Sequence, residues 1–283
     1  MQILKLDGLC KQYPAFRLEN VSFSMESGTI MGLIGRNGAG KTTTLKSMLH
    51  LVHPDAGTVT ICGLDMDKDE REIRSRIGFV SGGASYYQRK RLRELTDVTK
   101  RFYPGWDDGR YARLARQFSL DESKRVCELS EGMKVKYQLA AAMSHRAELL
   151  ILDEPTSGLD PVSRDELLDT FRTLCEQEGV SILFSTHITS DLDACADTIT
   201  YIQNGRVAVS ADKKTLTDAY LSLQGEDAAC SAALRARLIG ARSHKGELEA
   251  LLHKEDAALA DGFALAPANL EQIMVHLERE ADV

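Results

Sequence analysis

The sequence predicts an α/β protein whose central sheet is built from short, buried, parallel strands. Three observations support this prediction, and each is an apolar run of strand length that ends in a polar or glycine-rich turn. The runs cover residues 29–34, 149–152 and 180–185. Because ligands of such sheets bind beyond the carboxyl ends of the strands, we expect the turns that follow the three runs to form one site.

The first of these turns is a glycine-rich loop that leads into a helical pattern. Residues 35–43 read GRNGAGKTT and fit the phosphate-binding pattern G-x-x-x-x-G-K-[ST]. Glycines let the backbone amides point at an anion, and the helix N-terminus adds about half a positive charge. The alternative is a chance glycine turn before a surface helix. The residues predicted to bind a nucleotide are Gly35, Arg36, Asn37, Gly38, Ala39, Gly40, Lys41, Thr42 and Thr43.

Lys41 is predicted to contact the outer phosphates, and the hydroxyl of Thr42 to bind Mg²⁺. The second turn begins with two adjacent acids, Asp153 and Glu154. Since neighbouring strand residues point to opposite faces, we expect them to have separate roles. Asp153 is predicted to hold magnesium, directly or through water. Glu154 is predicted to orient or deprotonate a water that attacks the terminal phosphate. The alternative is an acidic loop after a core strand.

The third strand delivers His187 to the same edge of the sheet, where it is a candidate to contact the terminal phosphate. Two further turns open helices, with Ser130 and Asp160 as N-cap residues. Tyr13, beside Pro14, has two interpretations that the sequence leaves equally open. It either stacks on the base of the nucleotide or packs on the neighbouring strands.

Composition and charge narrow the class of protein. The chain has 283 residues, 43% hydrophobic and 27% charged, which suits a soluble globular protein. Its formal net charge of -7 argues against a nucleic-acid-binding surface. The six cysteines are scattered without a C-x-x-C pair, as in reduced cytosolic proteins. No apolar run approaches the roughly 20 residues that cross a bilayer, so we expect no membrane segment.

The rest of the chain suggests subdivisions. Residues 84–145 are rich in helical patterns, with a basic cluster at 89–93 that is either a solvated helix face or a contact for an acidic partner or lipid headgroups. Residues 211–283 are rich in alanine and charge and show no recognisable chemistry. Within them an amphipathic helix is predicted near 270–277, where Asn269 and Gln272 resemble a capping box.

The order of these motifs resembles the nucleotide-binding subunit of an ABC transporter over about residues 1–210. The matching stretches are the Walker A motif at 35–43, the Walker B acids at 153–154, the signature motif at 129–133, the D-loop at 157–160, the switch histidine at 187 and the A-loop aromatic at 13. Residues 102–107 and 269–274 resemble stretches of the stand-alone ATPases that serve separately encoded ABC-2-type or antibiotic-exporter-like membrane subunits.

The resemblance implies the ABC ATPase fold of P-loop NTPases. This fold has a mixed central sheet in a RecA-like core, an antiparallel β subdomain and a helical subdomain at about 84–145, here followed by a small C-terminal appendage at 211–283. It also implies ATP and Mg²⁺ as ligands and hydrolysis that powers a separate permease, here an exporter. Two ATPase subunits, identical or different, would clasp ATP head to tail, with Ser130, Gly132 and Asp160 acting across the dimer. The subunit would be cytoplasmic and peripheral on the inner face of the membrane.

Two positions depart from the family pattern. Gly82 stands where Gln or Glu usually reaches magnesium, so coupling to the permease is expected to run through Tyr86, Tyr87 or Gln88. Glu131 stands in the signature motif where glycine is common, and Met133 where Gln is common. A carboxylate near a phosphate is repulsive, so Glu131 is expected to point away from the nucleotide. Slow hydrolysis fits both departures.

Alternative functions remain. An ABC-type ATPase that acts on DNA or ribosomes is disfavoured by the single cassette and by the lack of a long insertion between Lys41 and Asp153. A GTPase switch is disfavoured because the chain has no N-K-x-D motif. A non-hydrolysing ATP-binding scaffold stays open because of Gly82.

Overall fold

A computed structural model describes residues 1–81 and 87–281 of the chain. Gly82 and Tyr86, on which two sequence-based expectations depend, lie outside the described residues. The chain divides into two compact units, Met1–Ser210 and Ala211–Val283. No helix among the described residues has both the length and the apolar composition to cross a bilayer.

The first unit is built on a six-stranded sheet. In spatial order its strands are β10 (Arg206–Asp212), β9 (Thr198–Gln203), β3 (Ile30–Ile34), β8 (Ser181–Thr186), β7 (Leu149–Asp153) and β6 (Ile77–Ser81). β3 pairs in parallel with β8 and β9, and β7 pairs in parallel with β6 and β8. Every residue of β3, β7 and β8 is buried, which is why these strands read as continuous apolar runs in the sequence.

A second sheet in this unit is antiparallel. Its strands, in spatial order, are β2 (Phe16–Glu26), β1 (Gln2–Tyr13), β4 (Ala56–Ile61) and β5 (Leu64–Asp65). One hydrophobic cluster joins this sheet to the six-stranded sheet, through residues such as Leu4, Leu45 and Ile151. The turn between β9 and β10 has positive φ at both Asn204 (49°) and Gly205 (75°), as a two-residue hairpin turn with right-handed strand twist requires.

Seven α-helices are described in this unit. They are α1 (Lys41–Met48), α2 (Glu70–Arg76), α3 (Leu92–Thr99), α4 (Asp108–Gln117), α5 (Glu131–Ser144), α6 (Pro161–Glu178) and α7 (Thr189–Cys195). The group α3, α4 and α5 occupies the region predicted to be helical. α6 begins at the N-cap Asp160 and Pro161, and it ends at Gly179, whose φ of 66° suits a glycine C-cap.

The second unit contains a four-stranded antiparallel sheet that the sequence did not predict. In spatial order its strands are β12 (Ile239–His244), β13 (Glu247–His253), β11 (Tyr220–Glu226) and β14 (Ala264–Pro267), with helices α8 (Lys213–Asp218), α9 (Ala232–Arg235) and α10 (Leu270–Ala281). The predicted capping box is present, because Asn269 and Gln272 exchange side-chain and backbone hydrogen bonds of 2.8 and 3.0 Å. α10 packs on β12, where His276 Nδ1 lies 2.9 Å from the carbonyl of Gly240.

Candidate nucleotide site

The glycine-rich loop joins β3 to α1 at the carboxyl edge of the six-stranded sheet. Gly40 is the N-cap of α1 and has a φ of 115°, a conformation that side chains disfavour. At Gly35 the reason for glycine is space, since a Cβ there would lie 2.3 Å from the carbonyl oxygen of Ile202. The loop therefore depends on glycine for its backbone conformation at one end and for close packing at the other.

Lys41 is buried at the first position of α1, with 5% of its surface exposed. Its Nζ donates a hydrogen bond of 2.7 Å to the carbonyl of Gly35 and lies 3.1 Å from Oε1 of Glu154. A buried ammonium needs such compensation, because its charge is costly to remove from water. The loop thus fixes a positive charge at the edge of the sheet.

Side-chain oxygens from β7, α1 and β8 are joined by hydrogen bonds near Lys41. Asp153, at the end of β7 and 7% exposed, accepts hydrogen bonds at Oδ1 from the hydroxyls of Thr42 (3.1 Å) and Ser185 (2.7 Å). Mg²⁺ prefers oxygen ligands and is commonly held by one or two protein groups together with substrate phosphates. A carboxylate beside the threonine hydroxyl fits that donor set. No cluster of three His, Cys, Asp or Glu side chains suited to a metal occurs among the described residues.

Glu154 does not continue the strand. Its φ is 50°, and its amide donates to the hydroxyl of Ser185 at 2.9 Å. Its Oε2 lies 2.9 Å from Nδ1 of His187, which directly follows β8. The two acids therefore have different partners, as expected. The cause, however, is a left-handed turn at Glu154 rather than the alternation of a strand, so that part of the sequence argument was wrong.

A cavity of about 640 Å³ lies over these groups. Tyr13 and Phe16 line it; they are cross-strand partners at the end of β1 and the start of β2. Ten of the predicted nucleotide and catalytic residues line the cavity, namely Tyr13, Arg36, Asn37, Gly38, Gly40, Lys41, Thr42, Thr43, Glu154 and His187. Among the predicted residues that do not line it, Asp153 and Ala39 are buried.

Ala15 and Phe16 line the cavity and were not predicted from the sequence. Ser157, the first residue of the D-loop stretch at 157–160, also lines it, although no contact with the nucleotide was predicted for it. Phe16 offers a second aromatic face beside Tyr13. The available signal was the Pro14-Ala15 turn, which places the aromatic residues on either side of it opposite each other in a hairpin.

The predicted cross-dimer residues do not line this cavity within one chain. Ser130 is exposed and caps α5 by accepting the amide of Met133 at 3.2 Å. Glu131 forms an ion pair of 2.6 Å with Lys134, one turn further along the helix. Asp160 is also exposed. Hydrogen bonds from Ser163, first from its hydroxyl and then from its amide, lower the pKa of Asp160.

Comparison with known proteins identifies the family. The ABC transporter family profile matches residues 18–157. The ABC transporter ATP-binding protein YtrB of Bacillus subtilis (strain 168) is 30% identical over 207 residues, which cover 73% of this chain and 70% of that protein. The Nod factor export ATP-binding protein I of Burkholderia orbicola (strain AU 1054) is 38% identical over 199 residues, covering 67% of this chain and 64% of that protein.

A solved structure of an ATP-binding subunit of an ABC transporter superposes with a TM-score of 0.68 at 30% identity. The superposition covers 76% of this chain and 91% of that structure. The expected ABC ATPase fold is therefore confirmed. On these matches, the chain belongs to the family of ABC transporter ATP-binding proteins and is an ABC-type ATPase.

Proposed function

We propose that this chain is the ATP-hydrolysing subunit of an exporter whose permease is a separate protein. The observation that carries the proposal is the convergence of Lys41, Glu154 and His187 at one cavity, with Thr42 and Asp153 beside them. The export role is supported by the Nod factor export relative, whose name assigns that role to its own system.

Within the cavity each group has a distinct role. The loop amides and Lys41 bind the phosphates of ATP, while Tyr13 stacks on the base. Glu154 accepts a proton from the attacking water, and its ion pair with Lys41 and its contact with His187 hold the carboxylate in the cavity. His187 contacts the terminal phosphate. The remaining loop residues, Gly35, Arg36, Asn37, Gly38, Ala39, Gly40 and Thr43, shape the phosphate cradle.

Mg²⁺ fits beside Thr42 and Asp153. Their oxygens would hold the ion, which would neutralise negative charge on the phosphate oxygens. Ser185 donates to the same carboxylate oxygen of Asp153 as Thr42 does, so it helps to fix the orientation of that carboxylate.

The catalytic unit is a head-to-tail dimer, formed by two copies of this chain or with a related ATPase subunit. In it, Ser130, Gly132 and Asp160 of one subunit complete the ATP site of the other. Support comes from the exposure of Ser130 and Asp160 outside the cavity of their own chain. Each charge-assisted hydrogen bond across the dimer contributes about 1.5–3 kcal/mol, so loss of the terminal phosphate biases the dimer toward opening.

Residues 1–210 form the ATPase domain in this proposal, and residues 211–283 form an appendage that stabilises packing or the dimer. The assembly is cytoplasmic, on the inner face of the membrane, where the permease holds it. It needs no nucleic-acid partner.

The proposal is tested by isolating the tagged chain from the membranes of its own cells and identifying what co-purifies. A polytopic membrane protein is expected, and vesicles containing both proteins should transport in an ATP-dependent manner. The matched control is the same pair with Glu154→Gln, which should remain assembled but not transport. Co-purification with ribosomes or DNA, and no membrane protein, would overturn the export role.

A further inference from the structure

A buried carboxylate outside the cavity joins the two loops that carry Glu154 and His187. Asp191 lies on α7 with 0% of its surface exposed. Its Oδ2 accepts hydrogen bonds from the hydroxyls of Thr156 (2.6 Å) and Thr186 (3.0 Å). Both threonines are also fully buried. Buried polar groups of this kind are costly unless they are paired, so the cluster has a defined geometry.

Each threonine is close in sequence to a proposed catalytic side chain. Thr186 directly precedes His187, and its hydroxyl also accepts the amide of Ile188 at 3.0 Å. One hydroxyl, that of Thr186, therefore binds the carboxylate of Asp191 and the backbone amide that follows His187. This arrangement limits the directions in which the imidazole can point.

Thr156 lies two residues after Glu154. The turn between them is closed by backbone hydrogen bonds, from Ser157 to the carbonyl of Glu154 and from Leu159 to the carbonyl of Thr156, both 3.2 Å long. Since Glu154 has left-handed backbone geometry, its direction depends on how this turn is held. The buried hydrogen bond from Thr156 to Asp191 fixes the position of this turn.

The second oxygen of Asp191 faces α6. Its Oδ1 lies 3.9 Å from Nε of Arg164, which is too long for a hydrogen bond but close enough for charge attraction. Arg164 lies one turn into the helix that Asp160 caps, and its amide donates to the carbonyl of Asp160 at 3.0 Å. The carboxylate thus contacts the 154–160 turn through Thr156 and the helix that follows it through Arg164.

We infer that Asp191 is a positioning residue for ATP hydrolysis, acting through Thr156 and Thr186 to set the approach of Glu154 to His187. Asp191 does not line the cavity and does not contact ATP. The inference rests on the proposed roles of Glu154 and His187 and adds the group that orients them.

The test compares isosteric variants of the two threonines in the full-length chain. Thr156→Val and Thr186→Val remove a hydroxyl without changing side-chain volume, whereas Thr156→Ser and Thr186→Ser keep it. The matched control is Thr200→Val, which removes another fully buried hydroxyl, one that lies 2.8 Å from Ser210 on a neighbouring strand. For each variant, kcat, KM for MgATP, equilibrium ATP affinity and Tm are measured.

Both valine variants should lower kcat by about 10- to 100-fold, the size of effect that small misplacements of catalytic groups produce. For Thr156→Val, ATP affinity and KM should be unchanged, because the loop and Lys41 are not altered. For Thr186→Val they should change much less than kcat, because His187 is only one of several groups that contact the phosphates. The serine variants should restore kcat, and Thr200→Val should lower Tm without lowering kcat. A double variant, Thr156→Val with Thr186→Val, should lose less than the product of the two single effects, because both act through one carboxylate.

The inference is overturned if Thr156→Val and Thr186→Val have the same kcat as the control Thr200→Val. It is also overturned if the two serine variants do not have the kcat of the wild type. A loss that only follows Tm across all variants would also overturn it. The parallel measurement on Glu154→Gln separates this failure from failure of the proposed function. If Glu154→Gln is inactive while both valine variants are active, only the role of Asp191 is wrong.

Discussion

Nζ of Lys41 and Oε1 of Glu154 lie 3.1 Å apart, although one residue begins α1 and the other directly follows β7, far along the chain. Lys41 is almost fully buried, while the side chain of Glu154 is 22% exposed and reaches the cavity. A phosphate that binds Lys41 therefore enters next to the carboxylate proposed to activate water. In this proposal ATP binding depends on one member of the ion pair and ATP hydrolysis on the other. A substitution of Glu154 alone should therefore affect hydrolysis and not binding.

We expect Glu154→Gln to bind ATP, to lose turnover by roughly 10²–10⁴-fold and to accumulate as an ATP-bound dimer. The amide keeps the shape of the side chain and removes repulsion toward the phosphate, but it is not a base. Equilibrium ATP binding, phosphate release and sedimentation measure the three effects. Glu166→Gln, which loses only an exposed ion pair with Lys136, is the control and should behave as the wild type. Wild-type turnover in Glu154→Gln would remove that residue from its role.

Ser130→Ala is expected to weaken ATP-dependent dimerisation. The substitution also removes the N-cap of α5, which costs about 1 kcal/mol of stability. The control for that cost is Asp107→Ala, which removes the N-cap of α4, where the side chain accepts the amide of Arg110. Sedimentation with ATP should show a loss of dimer for Ser130→Ala alone. Equal dimerisation of the two variants would argue against the proposed contact between Ser130 of one subunit and the ATP bound to the other.

Thr42→Val is expected to raise the Mg²⁺ concentration needed for half-maximal hydrolysis. Valine has the same volume but lacks the hydroxyl that donates to Asp153 and that we propose as a metal ligand. Thr42→Ser keeps the hydroxyl and should retain the wild-type Mg²⁺ dependence. The measurement is ATP hydrolysis across a titration of MgCl₂ at saturating ATP. Superimposable titration curves for all three proteins would show that Thr42 does not bind the metal.

Lys134→Met is expected to weaken the ATP-bound dimer, because it leaves Glu131 without its cation beside the proposed site for the partner's ATP. The ion pair is 2.6 Å long, but Glu131 is 47% exposed, so the effect is at most about 1 kcal/mol. Glu131→Gln in the same chain should restore dimerisation, since no negative charge then remains. If the double variant is as weak as Lys134→Met, the lysine acts by some means other than neutralising Glu131.

Much of the ATPase domain could be predicted because its signals are local in sequence. The strands β3, β7 and β8 are buried on both faces, and this burial is visible as the apolar runs at 30–34, 149–152 and 182–184. The glycine-rich loop is specified by its own residues and flanks. In the second unit, β12 and β14 left no alternation to detect, because β12 is exposed over its last four residues and β14, built of alanine, leucine and proline, is wholly exposed. β13 does alternate, as Glu-Leu-Glu-Ala, and this signal was overlooked.

By itself the sequence determined the family, the phosphate loop and the two acids, since these depend on residue types at fixed spacing along one strand-turn segment. Only the tertiary structure decided that Glu154 turns left-handed toward His187, that Phe16 shares the cavity with Tyr13, and that Asp191 joins two loops. Glu154 and His187 meet because β7 and β8 are neighbours in the parallel sheet, and the same pairing brings Thr156 within reach of Asp191. Tyr13 and Phe16 meet because β1 and β2 form an antiparallel hairpin. In each case the contact depends on how strands pair, and no local residue pattern specifies that pairing.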